Sequence, residues 1–304
     1  TAVGYNALTT FNRTDGASGK TTAVGSGAFQ SLTTGTQNTA VGMEAGSSQQ
    51  AAANCTFLGY RAGKDSAGEA NTFVGALCGD ATDDGAENTA VGQSALSANC
   101  GNGNTAIGHN SLLRCTGTGN TAAGLGAGAE ITSGDNNIAI GNDSHDGGTT
   151  GDNNISIGVS STPSAVGVEN QITLGNSSTA SLRCQIQTIA ALSDQRDKTD
   201  IIDLPYGLDF INQTRPVQYK WDIRDEYINS KLGTNPHQGK VRNGFIAQEL
   251  FALGDAEQHQ LAFNDNPDKL EASYGNLIPM LTKAVQELSA QVEALTARIT
   301  TLEG

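Results

Sequence analysis

A serine and a lysine stand five positions apart in the stretch Ser193-Asp194-Gln195-Arg196-Asp197-Lys198. A serine hydroxyl is a weak nucleophile until a base takes its proton. A lysine amine serves as that base when desolvation or nearby positive charge keeps it neutral. Ser193 and Lys198 are therefore a candidate catalytic Ser-Lys dyad, whose chemistry would be attack on a carbonyl. Residues five apart do not share one face of an α-helix, so a turn or irregular segment has to bring them together. Chance Ser/Lys pairs are common in surface loops, and the spacing alone carries little. The sequence on either side of the hexapeptide gives it weight.

On the N-terminal side the chain repeats. A glycine column runs Gly4, Gly25, Gly42, Gly59, Gly75, Gly92, Gly108, Gly124, Gly141, Gly158, Gly175, and after the first interval the spacing is sixteen or seventeen residues. Three residues after each glycine comes a small residue: Ala7, Ala28, Ala45, Ala62, Cys78, Ala95, Ser111, Ala127, Ser144, Ser161, Ser178. Four before it comes a polar column, mostly asparagine from Asn38 to Asn154, with Cys55 in one place. Such a period is too short for a helix-pair repeat and suits one coil of a parallel β-solenoid. Thr-Ala-Val is the strand piece, and stretches such as Ser133-Gly134-Asp135-Asn136-Asn137 are turn chemistry. Coils stacked at the strand spacing of about 4.8 Å would make a rod on the order of 50 Å long. Ala, Val and Ile are expected to point inward, with an occasional Leu or Phe. That is a thin core, so lateral association of several chains is expected to supply the missing burial, with the alanine column at the close approach.

On the C-terminal side the repeat stops. Leu182, Cys184, Ile186 and Ile189 read as a short strand or stalk leading to Ala190-Ala191-Leu192-Ser193. Residues 201–223 suit strands and a short helix, Gly244 to Leu253 is apolar at helical spacing, and 229–243 and 254–271 read as loops. His237 and His259, in those loops, are expected to be solvated. Leu281, Val285, Leu288, Val292, Leu295, Ile299 and Leu302 alternate four and three apart, the seam of a coiled coil. An amphipathic helix packed on its own domain is the competing reading of that stretch. Taken alone, β-branched residues alternating with Leu lean towards a parallel dimer. The expected organisation is a solenoid over 1–178, a stalk and junction over 179–192, a small α+β domain over 193–273, and a coiled-coil helix over 274–304.

Composition excludes several functions. The net charge is −14, so a basic stripe for nucleic acid is absent, and no apolar run reaches membrane-spanning length. Thr1-Ala2-Val3-Gly4 falls in the middle of a repeat, which leads us to expect that the chain once continued upstream. The five cysteines show no C-x-x-C spacing, so free thiols are expected rather than a zinc site, and Cys78, where other repeats hold Ala or Ser, is expected to be buried. Asp135, Asn136, Asp152 and Asn153 recur one coil apart and offer oxygen ligands. Carboxylates are too sparse for a calcium site, and these residues read as turn formers. No metal and no cofactor are expected.

Two resemblances add to this reading. The Asn-Thr-Ala-Val-Gly-x-x-Ala unit, over more than half of the chain, resembles the head repeats of trimeric autotransporter adhesins of the YadA family, and similar repeats occur in phage tail fibres. The second is carried by Ser-Asp-Gln-Arg-Asp-Lys at 193–198 with the blocks Leu208-Asp209-Phe210-Ile211, Arg215 to Trp221, Gly244 to Leu250 and Tyr274 to Pro279. In that order they resemble the C-terminal intramolecular chaperone of phage tail spikes, tail fibres and endosialidases, which also occurs in the myelin regulatory factor family. The resemblance implies Ser193 as nucleophile, Lys198 as its partner, and cleavage beside Ser193, most simply at the Leu192–Ser193 junction. It implies a homotrimer, folded in the host cytoplasm and destined for a virion tail, with a host-surface glycan or receptor as partner and no membrane insertion. Two alternatives stay open. One is a bacterial trimeric adhesin head, which is expected to end in a membrane-anchoring barrel. The other is a glycan-binding or glycan-degrading tail spike whose enzyme lies upstream, since the repeat holds no paired acids for that chemistry.

Overall fold

The computed structural model describes residues 1–11, 20–147, 150–179, 181–183, 185, 193–220, 239–254, 256–264, 266–268 and 270–304. They fall into two compact units, Thr1–Ser177 and Ser178–Gly304.

The first unit is a parallel β-solenoid. Its strands are β1 (Ala2–Val3), β2 (Thr22–Val24), β3 (Thr39–Val41), β4 (Thr56–Leu58), β5 (Thr72–Val74), β6 (Thr89–Val91), β7 (Thr105–Ile107), β8 (Thr121–Ala123), β9 (Ile138–Ile140), β10 (Ile155–Ile157) and β11 (Ile172–Leu174). They pair in sequence order, each with the next, in one parallel sheet. The register keeps like over like: Thr22 on Thr39, Ala23 on Ala40, Val24 on Val41. The glycine that ends each strand is required twice over. At Gly59 φ is +140°, and a Cβ there would lie 2.4 Å from the carbonyl oxygen of Gly75 in the next coil.

An asparagine ladder joins the coils from inside. The side-chain oxygen of Asn104 accepts from the backbone N–H of Asn120 at 2.9 Å, while its Nδ2 donates to the Gly117 carbonyl at 3.0 Å. Asn120, Asn137 and Asn154 repeat the pattern one coil on each time. At Cys55 the ladder is served by a thiol, which accepts from the Gln49 Nε2 at 3.4 Å and donates to the Gly68 carbonyl at 3.5 Å. Cys55, Cys78, Cys100 and Cys115 are free and buried, and Cys184 lies outside the described residues.

The core is narrower than the sequence suggested. From β2 to β10 the middle residue of each strand points inward, as Ala23, Phe57, Phe73 and Ala90 do, and is fully buried. The flanking Val, Ile and Leu expected inside point out instead: Leu58, Ile107 and Leu174 are 46–51 % exposed. Period-two alternation in a three-residue strand permits only one inward side chain. The small column is also corrected. Ala28, Ala45, Ala62 and Ala95 are buried in their own coils, where the chain turns back on itself, and so are not open to a lateral contact. Phe29, Phe57 and Phe73 fill the interior of the early coils, with ring centroids 5.8 and 5.5 Å apart.

The second unit is small and mixed. Its elements are a one-turn 3-10 helix at Gln195–Asp197, α1 (Leu208–Ile211), β12 (Val217–Lys220), β13 (Val241–Gly244), α2 (Ala247–Phe251), α3 (Ala256–His259), β14 (Ala262–Phe263), β15 (Glu271–Ala272), a 3-10 turn at Tyr274–Asn276 and α4 (Leu277–Glu303). β12 pairs antiparallel with β13, and β14 with β15. Val241–Gly244 and Ala256–His259, expected as loop, are thus a strand and a helical turn; neither is long enough to show its period in sequence. Leu250, Leu261, Leu277 and Met280 form the core, with Tyr206, Phe210 and Phe245 against it. His259 is buried rather than solvated. Its ring lies 5.6 Å from that of Phe210, and its Nδ1 accepts from the Leu261 N–H at 3.1 Å. His237 lies outside the described residues.

α4 packs on its own unit at one end only. Leu277, Met280 and Ala284, in its first turns, are buried against its own unit, while Leu281 to Leu302 along the heptad seam are 46–83 % exposed. The stalk expected over 182–189 lies mostly outside the described residues, and Leu182 itself is in no strand and is exposed.

Candidate active site

Ser193 and Lys198 are brought together by one tight turn. Asp194 is the N-cap of the Gln195–Asp197 helix, with extended backbone, and its carboxylate accepts from the Arg196 N–H at 2.9 Å. Asp, which competes for local backbone donors, is well suited to that place. Lys198 closes the turn with its N–H on the Gln195 carbonyl at 3.2 Å and returns to extended backbone. A 3-10 helix advances three residues per turn. One such turn folds the chain back within the hexapeptide and brings its two ends close. The Lys198 Nζ donates to the Ser193 Oγ at 2.6 Å. The turn that the five-residue spacing demands is thus present, and Ser193 and Lys198 meet in it.

The middle of the hexapeptide holds a second pair that spacing alone left without a role. Arg196 forks onto Asp194, with Nε 3.1 and 3.2 Å from its two oxygens and Nη2 2.6 Å from Oδ2. The guanidinium holds the Asp194 carboxyl below the usual carboxylate range, and the carboxylate holds Arg196 above its own. An acid and a base two residues apart across a capping position were the available signal. Leu192, on the other side of the expected junction, lies outside the described residues.

All six residues of this segment are exposed. The Lys198 amine is the donor in its contact with Ser193. To take the serine proton it has to be neutral, which burial by another surface would favour. Ser193 and Lys198 are therefore in hydrogen-bond contact while both are exposed. Among the described residues no group of three or more His, Cys, Asp or Glu is gathered to hold a metal ion. The Asp135 and Asp152 carboxylates, weighed as calcium ligands, accept instead from the backbone N–H groups of Thr118 and Asp135, at 2.7 and 2.8 Å.

Residues 193–258 match the Peptidase S74 family model, described as chaperone of endosialidase.

The match begins at Ser193 itself and takes in the hexapeptide, α1, the paired strands β12 and β13, and α2. A chaperone of endosialidase segment following a β-solenoid fits a phage tail fibre-like protein. No curated protein and no solved structure matches the chain. No helix among the described residues is long and apolar enough to cross a membrane.

Proposed function

We propose that the second unit is an intramolecular chaperone of a viral tail fibre or spike, which gathers three copies of the chain, lets their solenoids fold, and then cuts itself free beside Ser193. The observation that carries this reading is the 2.6 Å contact between Lys198 Nζ and Ser193 Oγ at the residue where the family match starts.

The chemistry balances with no further group. Neutral Lys198 takes the Ser193 hydroxyl proton as Oγ attacks the Leu192 carbonyl carbon. The proton passes to the Ser193 nitrogen as the peptide bond breaks, leaving an ester between Leu192 and the serine oxygen. Water then hydrolyses that ester. The products are a Leu192 carboxylate and a chain that begins with the Ser193 amine. This is a single turnover in cis.

Two exposed apolar faces support assembly. The α4 seam is a stripe of Val, Leu and Ile about 30 Å long without cover from its own unit. On the solenoid, the outward strand residues Leu58, Val91, Ile107, Ile140, Ile157 and Leu174 lie in register along one sheet and form a second stripe. Contiguous apolar surface of this kind marks an interaction site. The number three rests on the likeness to the chaperone family. A β-array with non-local pairing and open edges folds slowly, and early association through α4 would raise the local concentration of solenoids. Burial of the Ser193–Lys198 turn between copies would then neutralise Lys198, so cleavage follows correct assembly. Once cut, the solenoid cannot return along the same path. The assembled fibre would meet a host-surface glycan or receptor.

Intact mass and denaturing gels of the full chain test the cleavage. Wild type is expected to split between residues 192 and 193, while Ser193→Ala and Lys198→Ala remain whole. A wild-type chain that stays full length after folding overturns self-cleavage. Sedimentation of Ser193→Ala reads the copy number, and a monomer would overturn the chaperone assignment.

A further inference from the structure

We propose that Arg196 is a positioning residue for the Ser193–Lys198 pair: by forking onto both oxygens of Asp194, it stops that carboxylate from drawing Lys198 away from the serine. The inference rests on the reading of Ser193 and Lys198 as a dyad.

The problem it solves is built into the hexapeptide. Asp194 is the neighbour of the nucleophile and sits on the turn that brings Lys198 to it. A free carboxylate there would be the natural partner of the lysine ammonium. Pairing would hold the amine charged, since an opposite charge nearby favours the charged form, and a charged amine cannot accept the serine proton. The structure shows a different pairing. Arg196 meets Oδ1 and Oδ2 of Asp194 together, at 2.6–3.2 Å, and the Lys198 ammonium is left with the Ser193 hydroxyl. A guanidinium matches a carboxylate in this two-pronged way and stays charged at any relevant pH, whereas a second lysine could offer only a point contact. The pair also neutralises itself, so Lys198 sees neither a bare anion nor a bare cation at that side. Asp197 and Asp200 are the other carboxylates of the segment, both exposed, and Lys198 makes no ion pair among the described residues. Asp194 has a second task as the N-cap, accepting the Arg196 N–H, which an asparagine in its place can also do.

Charge and shape therefore separate in experiment. The amine is followed by NMR titration of the Lys198 side chain in the full chain carrying Ser193→Ala, which stays whole. Arg196→Ala bares the carboxylate, and the Lys198 titration is expected to move to higher pH. Asp194→Asn keeps the cap and bares the guanidinium, and the titration is expected to move to lower pH. The double variant is expected to return close to the starting value. In chains that keep Ser193, the pH profile of cleavage is expected to move in the same directions. At a pH below the amine's titration, Arg196→Ala is then expected to cut about tenfold more slowly for every pH step of one by which the profile has moved. Arg196→Lys is expected to restore part of the rate.

If Lys198 titrates at the same pH in all four chains, the assignment fails, even where cleavage has slowed, because a purely structural turn would lower the rate without moving the profile. If wild type does not cleave at all, the dyad reading fails by itself. The titration of Lys198 in the uncut chains still decides whether Arg196 shields it from Asp194.

Discussion

Asn104 and Asn120 are linked across one coil by a hydrogen bond of 2.9 Å, from the backbone N–H of the later residue to the side-chain oxygen of the earlier one. Asn104 also satisfies the Gly117 carbonyl at 3.0 Å, so one buried amide closes two backbone groups of the following coil. Asn104→Ala leaves the Asn120 N–H without a partner in a site closed to water, while the Gly117 carbonyl keeps the Gly101 N–H at 3.1 Å. One orphaned group costs about 1–3 kcal/mol, and a loss of that size is expected. Asn104→Asp is expected to do no better, because a carboxylate accepts from Asn120 but cannot donate to Gly117. Urea unfolding of the full chain, with hydrogen exchange at Asn120 and Gly117 as the local reading, checks this. Unchanged protection at Asn120 would mean that the strand pairing alone holds the coils.

The interior of the early coils predicts an exchange of volume. Phe57 occupies the inward strand position, and in the same coil Gly63 has no room for a Cβ, which would lie 2.5 Å from the Phe57 ring. Elsewhere the arrangement is inverted: Ala90 stands on the strand and Leu96, at φ +54°, fills the core from the turn. Phe57→Ala is expected to cost about 3–5 kcal/mol through the cavity it leaves. Gly63→Leu alone is expected to be destabilising by overpacking. The pair Phe57→Ala with Gly63→Leu is expected to be more stable than either single change, since it copies the coil of Ala90 and Leu96. Chemical unfolding of the three variants gives the coupling directly, and simple additivity would show that the two positions do not share one space.

Much of this was legible in the residues. The glycine column gave the coil and its period because those glycines are needed by a backbone that nearly touches the next coil. Ser193 and Lys198 were visible by type, and the turn between them was a demand of their spacing. Facing was harder to read. Thr-Ala-Val gives no sign of whether the alanine or the valine is inside, since either choice satisfies a period of two; the narrow bore of the coil decides for alanine. His259 was misplaced for a related reason. A polar run hides a single buried ring when Tyr206 and Phe210, some fifty residues earlier, supply the packing. The Asp194–Arg196 fork needed coordinates, because charges two apart in a loop are usually solvated.

The buried thiols make a reporter of coil opening. Burial pushes Cys78 and Cys115 up to about 12, and Cys55 and Cys100 are raised by the same cause. At pH 8 all four are protonated and out of reach. In a Cys184→Ser chain an aromatic disulfide reagent at pH 8 is expected to find no reactive thiol until denaturant is added, and then four. Reaction of any of them at the rate of a free thiol in native buffer would show that its coil opens readily.

Glu287 ties α4 to α1, and the tie depends on pH. Its Oε2 accepts from the Leu208 N–H at 2.7 Å, and Lys283 lies one turn away on the same helix, 3.3 Å from Oε1. The Leu208 hydrogen bond, with Lys283 adding to it, holds the Glu287 carboxyl below its ordinary value. A carboxyl whose folded pKa is depressed stabilises the fold fully above its unfolded pKa, about 4.3, and loses that contribution as pH falls through the lower folded value. Glu287→Gln has the shape of the protonated acid and no charge. Wild type is therefore expected to melt at a higher temperature than Glu287→Gln above pH 5, and the two are expected to converge as the pH drops below 4. Asp194 and Glu249 are depressed by Arg196 and Arg215 and titrate in the same acid window in both chains, so they cancel in the difference. Calorimetric melts of the two chains from pH 3 to pH 7 read it out. A difference that persists unchanged to pH 3 would assign the effect to packing of the side chain rather than to its charge.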